Sequence, residues 1–255
     1  MILAAGLGTR LGELGLKYPK CMVPVGGHPL LYYIIQKMKA AGVTSLVLNL
    51  HHLGEQIRKY LADNNNFGLP IEFSHEEEQA LETGGGIKQA RSLLEDNEFF
   101  IVHNGDIYCD DDLGELVACH QERKAVATVM ACPTDDTKVL LFDERNRLAG
   151  WKNRATGERI DVANLAGSPS SLESLNERKV KEKGYGGVQV LSPAIFQILE
   201  EQEEKFSIVK SWLKAASRGM TVVGHPTTPK TWIDIGTEQK VAALDELLIS
   251  RCPPR

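Results

Sequence analysis

Short apolar runs alternate with helical segments through the first half of this chain, and that alternation fixes its class. Met1–Ala5, Ser45–Leu50, Leu69–Ser74, Phe99–His103 and Ala125–Ala131 read as strands. Pro29–Ala41, closed by Gly42, and Leu53–Ala62, Thr83–Leu94 and Asp112–Glu122 read as the helices between them. Strands separated by helices imply βαβ units, right-handed crossovers and a mainly parallel sheet. The expected class is α/β.

The second half is less regular. Lys138–Phe142 and Arg147–Trp151 read as a hairpin, Gly184–Leu191 as a strand, and Pro193–Gln202 and Ser207–Ser217 as helices. Thr221–Val223 and Thr231–Ile235 read as strands, and Glu238–Ile249 as a closing helix. Residues 153–183 are rich in Ser, Gly, Asn and charge, and so long a weakly patterned stretch is either mobile or functional. No internal repeat is present. With 255 residues the chain suits one large α/β domain as well as two small ones.

Charge and composition narrow the partners. The 34 acidic residues outnumber the 29 basic ones, for a net charge of −5, and no basic stripe marks a nucleic-acid binder. The aspartates at 110, 111 and 112 read as a helix N-cap cluster. No apolar run approaches the ~20 residues of a membrane span, and the opening residues lack a secretory pattern. The five cysteines are odd in number and form no C-x-x-C pair, so reduced thiols and a cytoplasmic location are expected.

Directly after the first strand come Gly6, Gly8, Arg10 and Gly12, a stretch suited to phosphate oxygens. Glycines let backbone N–H groups approach closely, and the guanidinium pairs with phosphate. A dinucleotide fingerprint fails because position 11 is leucine, and no Walker A spacing exists. The loop is expected to run irregularly to Pro19 and Lys20 and not to open a helix directly.

The run Leu3-Ala4-Ala5-Gly6-Leu7-Gly8-Thr9-Arg10-Leu11, followed by Pro19-Lys20 and by Pro24-Val25 and Pro29-Leu30, resembles the signature of the sugar-1-phosphate nucleotidyltransferases. The version Glu82-Thr83-Gly84-Gly85-Gly86-Ile87 looks most like uridylyl- and guanylyl-transferring members acting on N-acetylmuramate, mannose or heptose 1-phosphates. The resemblance implies a Rossmann-like mainly parallel sheet (the nucleotide-diphospho-sugar transferase fold) with a smaller antiparallel sugar-binding insert. It implies one domain over residues 1–255. Residues 1–125 would mainly bind the nucleoside triphosphate, 126–236 the sugar phosphate, and 237–255 would form a closing helix and tail.

The same resemblance assigns roles. Gly6, Leu7, Gly8, Thr9, Arg10 and Lys20 would cradle the triphosphate, and Leu3, Ala4, Ala5, Asn104 and Gly105 would also bind the nucleotide. Glu82, Thr83, Gly84 and Gly85 would hold base and ribose, with Thr83 open to a second reading as a helix N-cap. Asp106, at the carboxyl end of a parallel strand, and Asp234, in Trp232-Ile233-Asp234-Ile235-Gly236-Thr237, would bind Mg²⁺. A metal shared between them would supply the partner that a lone carboxylate on an apolar strand needs. Lys152, Asn164 and Gly187 would touch the sugar phosphate. Arg10, Lys20, Asp106 and Asp234 would carry an in-line transfer from NTP to sugar 1-phosphate with release of pyrophosphate.

UTP with N-acetylmuramate 1-phosphate is the leading pair, and GTP with mannose or heptose 1-phosphate follows. Cytidylyl transfer to a phosphorylated alcohol such as phosphocholine, and a nucleotide sensor without turnover, stay open. The protein is expected to act as a monomer or homodimer.

Overall fold

The computed structural model describes residues 1–166 and 179–251, and part of the weakly patterned stretch 153–183 lies outside them. Strand β1 (Ile2–Leu3) enters the glycine-rich loop, which closes through a 3-10 turn at Thr9–Leu11 into helix α1 (Gly12–Lys17). A hairpin of β2 (Pro24–Val25) and β3 (His28–Pro29) leads into α2 (Leu30–Ala40). Then follow β4 (Leu46–Leu50), α3 (Gly54–Asp63), β5 (Ile71–His75), α4 (Glu82–Gln89), α5 (Arg91–Leu94), β6 (Phe100–Asn104) and β7 (Ile107–Cys109). Next come α6 (Leu113–Arg123), β8 (Ala127–Cys132), β9 (Lys138–Phe142), β10 (Leu148–Asn153), β11 (Arg159–Asp161) and α7 (Val162–Leu165). The last elements are β12 (Lys181–Leu191), α8 (Phe196–Leu199), α9 (Ile208–Ser217), β13 (Val222–Pro226), β14 (Trp232–Asp234) and α10 (Glu238–Arg251).

The class is α/β, as the alternation implies. Two expectations change in detail. The glycine-rich loop does open a helix, α1, within one turn. The single helix expected over Thr83–Leu94 breaks at Ala90 into α4 and α5.

The chain packs as two compact units. The first comprises residues 1–82, 103–113 and 230 onward. Here β5, β4, β1 and the end of β6 lie side by side, all parallel, with Ile2 opposite both Leu48 and His103. All five residues of β4 are buried, which suits a parallel strand covered on both faces. Helix α2 buries Leu30, Leu31, Ile34, Ile35 and Met38, one apolar stripe at helical spacing.

The second unit comprises residues 83–102 and 114–229. Its strands β8, β12, β9, β10 and β11 pair antiparallel in that order, while β13 runs parallel to β8. Trp212 of α9 is fully buried and donates its indole N–H to Gln189 Oε1 at 3.0 Å. No helix among the described residues is long and apolar enough to cross a membrane.

Two buried histidines make the fold acid-sensitive. His120 contacts the hydroxyls of Thr128 and Ser192 at 3.0 and 2.9 Å. Burial lowers its pKa from 6.5 to about 4, and burial does the same to His103. The native rings therefore stay neutral between pH 6.5 and 4, while the unfolded chain binds protons there. The unfolded state binds more protons, so stability rises with pH across that window and falls on acidification. The expected loss is on the order of 3 kcal/mol per ring between pH 6.5 and 4. Urea midpoints at pH 7 and pH 5 check this, and His120→Gln should flatten the slope. An equal slope in that variant would remove His120 from the account.

Candidate functional site

The site is built where β6 ends. Asn104, Gly105 and Asp106 turn the chain from β6 into β7. Strand β7 pairs antiparallel with β14, with Ile107 opposite Asp234, and the Ile235 N–H donates to the Asp106 carbonyl at 3.0 Å. This short pairing sets two carboxylates, far apart in sequence, next to each other. Between them sits Lys20, from the 3-10 turn Lys20–Met22. Its Nζ lies 2.5 Å from Asp106 Oδ2 and 3.2 Å from Asp234 Oδ1. Lys240 stands 4.0 Å from Asp234 Oδ2. The carboxylates' partner in this structure is thus an ammonium, which the sequence reading placed at the phosphates instead.

The pairing is tied at its other end. Asp110 Oδ1 accepts from the Thr231 N–H at 2.9 Å, and the Arg251 guanidinium lies 3.6 Å from Asp110 Oδ2. Asp110 therefore clasps β14 and α10, a role that the N-cap reading of this acidic run missed.

The glycine-rich loop lies open. Leu7 is 48% exposed, and Gly6, Thr9 and Arg10 are exposed as well. Gly8 takes a left-handed φ of 63°, and its carbonyl accepts from the Leu11 N–H at 2.9 Å. The Cα of Gly15 in α1 packs directly on that carbonyl, so any side chain there would push the loop away. Gly15 is a site-shaping residue missed from sequence, and its only signal is a second glycine inside a six-residue helix. A methyl on Gly236 would lie 3.3 Å from the Arg10 guanidinium and 3.2 Å from Asp234 Oδ1, so Arg10 stands beside Asp234.

Gly105 joins the loop to the acids. Its N–H donates to the Leu3 carbonyl at 2.8 Å, and a Cβ there would meet that oxygen at 2.5 Å and Cys21 Cβ at 3.3 Å. Asn104 Oδ1 is buried with no partner among the described residues. Burial pushes the neighbouring Cys21 thiol up to about 12, so it stays neutral and is no nucleophile. The first unit thus gathers Arg10, Lys20, Asp106 and Asp234, with Leu3, Ala4, Ala5, Asn104 and Gly105 along the same strand ends.

Glu82 closes the first stretch of that unit with a left-handed φ of 62°. Thr83, Gly84 and Gly85 belong to the second unit. Thr83 lies inside α4 and not ahead of it, and its hydroxyl accepts from the Ile208 N–H at 3.0 Å. The Gly84 and Gly85 N–H groups both point at the Phe206 carbonyl, at 2.9 and 3.3 Å, so they are not free donors for a base. Gly84 is glycine because the Phe206 ring lies against its Cα.

Lys152, Asn164 and Gly187 also lie in the second unit. Lys152 Nζ is 3.0 Å from Glu182 Oε1, and Arg154 Nε is 2.8 Å from Glu182 Oε2. Hydrogen bonds from Lys152 and then Arg154 hold the Glu182 carboxyl below its usual range. Asn164 is exposed on α7. Gly187 has a φ of 83° and sits where β12 shifts register against β8, a bulge that glycine admits.

The acidic pair fits a divalent cation. Two hard carboxylates already converge on one positive charge. Mg²⁺ is commonly held by one or two carboxylates with water and phosphate oxygens. No group of three or more His, Cys, Asp or Glu side chains suited to a metal occurs among the described residues, so a site closed by protein ligands alone is not formed there.

The family described as nucleotidyl transferase matches residues 1–142. A mannose-1-phosphate guanyltransferase of Kluyveromyces lactis is 38% identical over 208 residues, covering 78% of this chain. The chain spans 51% of that relative's length, about half. An N-acetylmuramate alpha-1-phosphate uridylyltransferase of Caulobacter vibrioides is 38% identical over 251 residues, covering 95% of this chain and 94% of its own. The crystal structure of HddC from Yersinia pseudotuberculosis, complexed with GMP-PN, superposes with a TM-score of 0.72 at 25% identity, covering 96% of this chain and 97% of that one. The signature loop, the paired acids and these matches together place the chain in the nucleotidyl transferase family, in its sugar-1-phosphate branch.

Proposed function

We propose that the protein transfers a nucleotidyl group from a nucleoside triphosphate to a sugar 1-phosphate, releasing pyrophosphate. The observation that carries this is the convergence of Lys20 on Asp106 and Asp234 beside the open, arginine-bearing glycine loop. A phosphate oxygen of the sugar 1-phosphate attacks the α-phosphorus, and the bond to the leaving pyrophosphate oxygen breaks in line. The nucleophile is already an anion, so no general base is required. The chain's task is to position two polyanions and neutralise their charge.

Arg10 and the loop amides hold the triphosphate, and Lys20 gives a compact charge on a flexible stem at its phosphates. Asn104 presents a buried acceptor beside the acids, suited to a ribose hydroxyl. Asp106 and Asp234 would hold Mg²⁺, which supplies Lewis-acid charge at the phosphates. Lys152 and Gly187 serve the sugar phosphate, with Glu182 holding Lys152 in place.

UTP with N-acetylmuramate 1-phosphate is the favoured pair. A uridylyltransferase relative covers nearly the whole of both chains, which favours it over GTP with mannose 1-phosphate. A matrix of four NTPs against a panel of sugar 1-phosphates and phosphocholine, read as pyrophosphate release, tests the proposal. UTP with N-acetylmuramate 1-phosphate should turn over at least tenfold faster than the other pairs. Release only with CTP and phosphocholine overturns the sugar assignment, and no release with any pair leaves a nucleotide-binding protein without turnover.

A further inference from the structure

Strand β4 carries one amide, Asn49, among buried aliphatic residues, and it is only 2% exposed. An amide in such a place is costly unless both ends find partners. Both do. The β1–β4 ladder ends with Leu3 opposite Asn49. At the next residue the Ala4 N–H turns to the Asn49 side chain and donates to Oδ1 at 2.7 Å. The side chain thus takes over the acceptor that the strand no longer provides, just where the backbone leaves the sheet for the glycine-rich loop.

The other end of the amide reaches a second nucleotide segment. Asn49 Nδ2 donates to Glu76 Oε1 at 2.6 Å. Glu76, 4% exposed, accepts on Oε2 from the Leu81 N–H at 2.8 Å, one residue before the left-handed Glu82. Its own backbone is pinned too, by its N–H to the Leu50 carbonyl at 2.8 Å and its carbonyl to His51 Nδ1 at 2.6 Å. Among the described residues no cation pairs with this buried carboxylate. Its charge is met by an amide and a backbone donor, so both are held firmly.

We infer that Asn49, anchored by Glu76, is a positioning residue for the nucleoside triphosphate. It locks the glycine-rich loop at Ala4 and the corner at Leu81–Glu82 into one frame before the ligand arrives. This rests on the nucleotidyl-transfer reading for what the frame holds. Because the brace touches no reacting atom, its loss should appear in triphosphate affinity and not in the chemical step.

Three variants test it, with UTP and GTP as probes. Binding is read by calorimetry without sugar phosphate, and KM and kcat come from pyrophosphate release. Asn49→Leu leaves the Ala4 donor and the Glu76 acceptor unmatched. It should weaken triphosphate binding and raise its KM tenfold or more, with kcat at saturation within threefold. Asn49→Asp sets two buried carboxylates against each other and should do at least as much harm. The double variant Asn49→Asp with Glu76→Gln exchanges amide and acid while keeping every hydrogen bond, and should return affinity to within threefold of the parent.

The inference is overturned if kcat falls with KM unchanged, or if folded Asn49→Leu binds triphosphate normally. It is also overturned if the double variant folds like the parent yet binds no better than Asn49→Asp. Should Asn49→Leu not fold, the comparison of Asn49→Asp with the double variant decides alone. Calorimetry keeps this test separate from the proposed reaction, since triphosphate binding can be measured even if no sugar phosphate is turned over.

Discussion

Asp106→Asn is expected to lower turnover by about 100- to 1,000-fold, the range seen when one preorganised electrostatic contact is removed from a transition state. The substitution keeps the side chain's shape and removes its charge. Lys20 then loses its nearer partner, at 2.5 Å, and keeps Asp234 at 3.2 Å. The backbone is unaffected by the change, because the Asp106 carbonyl still accepts from the Ile235 N–H and Gly105 still bonds Leu3. The thermal midpoint should therefore stay within a few degrees of the parent. Pyrophosphate release and a melting curve on the same preparation separate the two effects. Near-parental turnover in a folded Asp106→Asn protein would remove the acidic pair from the mechanism.

Lys20→Met should be as severe and different in kind. The lysine side chain is 12% exposed and stands between carboxylates that are 31% and 26% exposed. Methionine matches its length and apolar stem but leaves the two acids facing each other with no cation of this kind between them. Both activity and stability should fall. We expect kcat/KM down by 100-fold or more and a lower melting midpoint. Lys20→Arg should restore the midpoint better than the activity, since a planar fork does not replace a compact ammonium. Raising the salt concentration should narrow the stability gap by screening the acids. A Lys20→Met protein that retains a tenth or more of parental kcat/KM would show that Lys20 meets no phosphate that matters.

Much of the candidate site was legible because its residues lie in contiguous words. The loop around Gly8 and Arg10, the Pro19–Lys20 step, the Asn104–Asp106 turn and the Trp232–Thr237 run are local patterns. The alternation of apolar strands with helices was equally readable, since burial on both faces of β4 needs a run that is apolar at all positions but one. What escaped was decided by tertiary contact. Helix α1 contains two glycines in six residues; Gly15 lies in its interior, where glycine is unfavourable, and packs against the Gly8 carbonyl. Thr83 looks like a cap but accepts from Ile208, a residue far along the chain. Asn49 is one amide in a strand, and nothing local tells that its oxygen serves Ala4. That Lys20 stands between the paired acids, for which the sequence suggests a shared metal, shows only in the fold.

The clasp of β7 by β14 has a consequence for how the candidate site comes into being. Asp106 is translated long before Asp234, and the segment that carries the second acid also carries α10 and the tie to Asp110. The two acids can meet only when β14 has left the ribosome and paired with β7, so the loop, Lys20 and the first carboxylate are made long before the acidic pair is assembled.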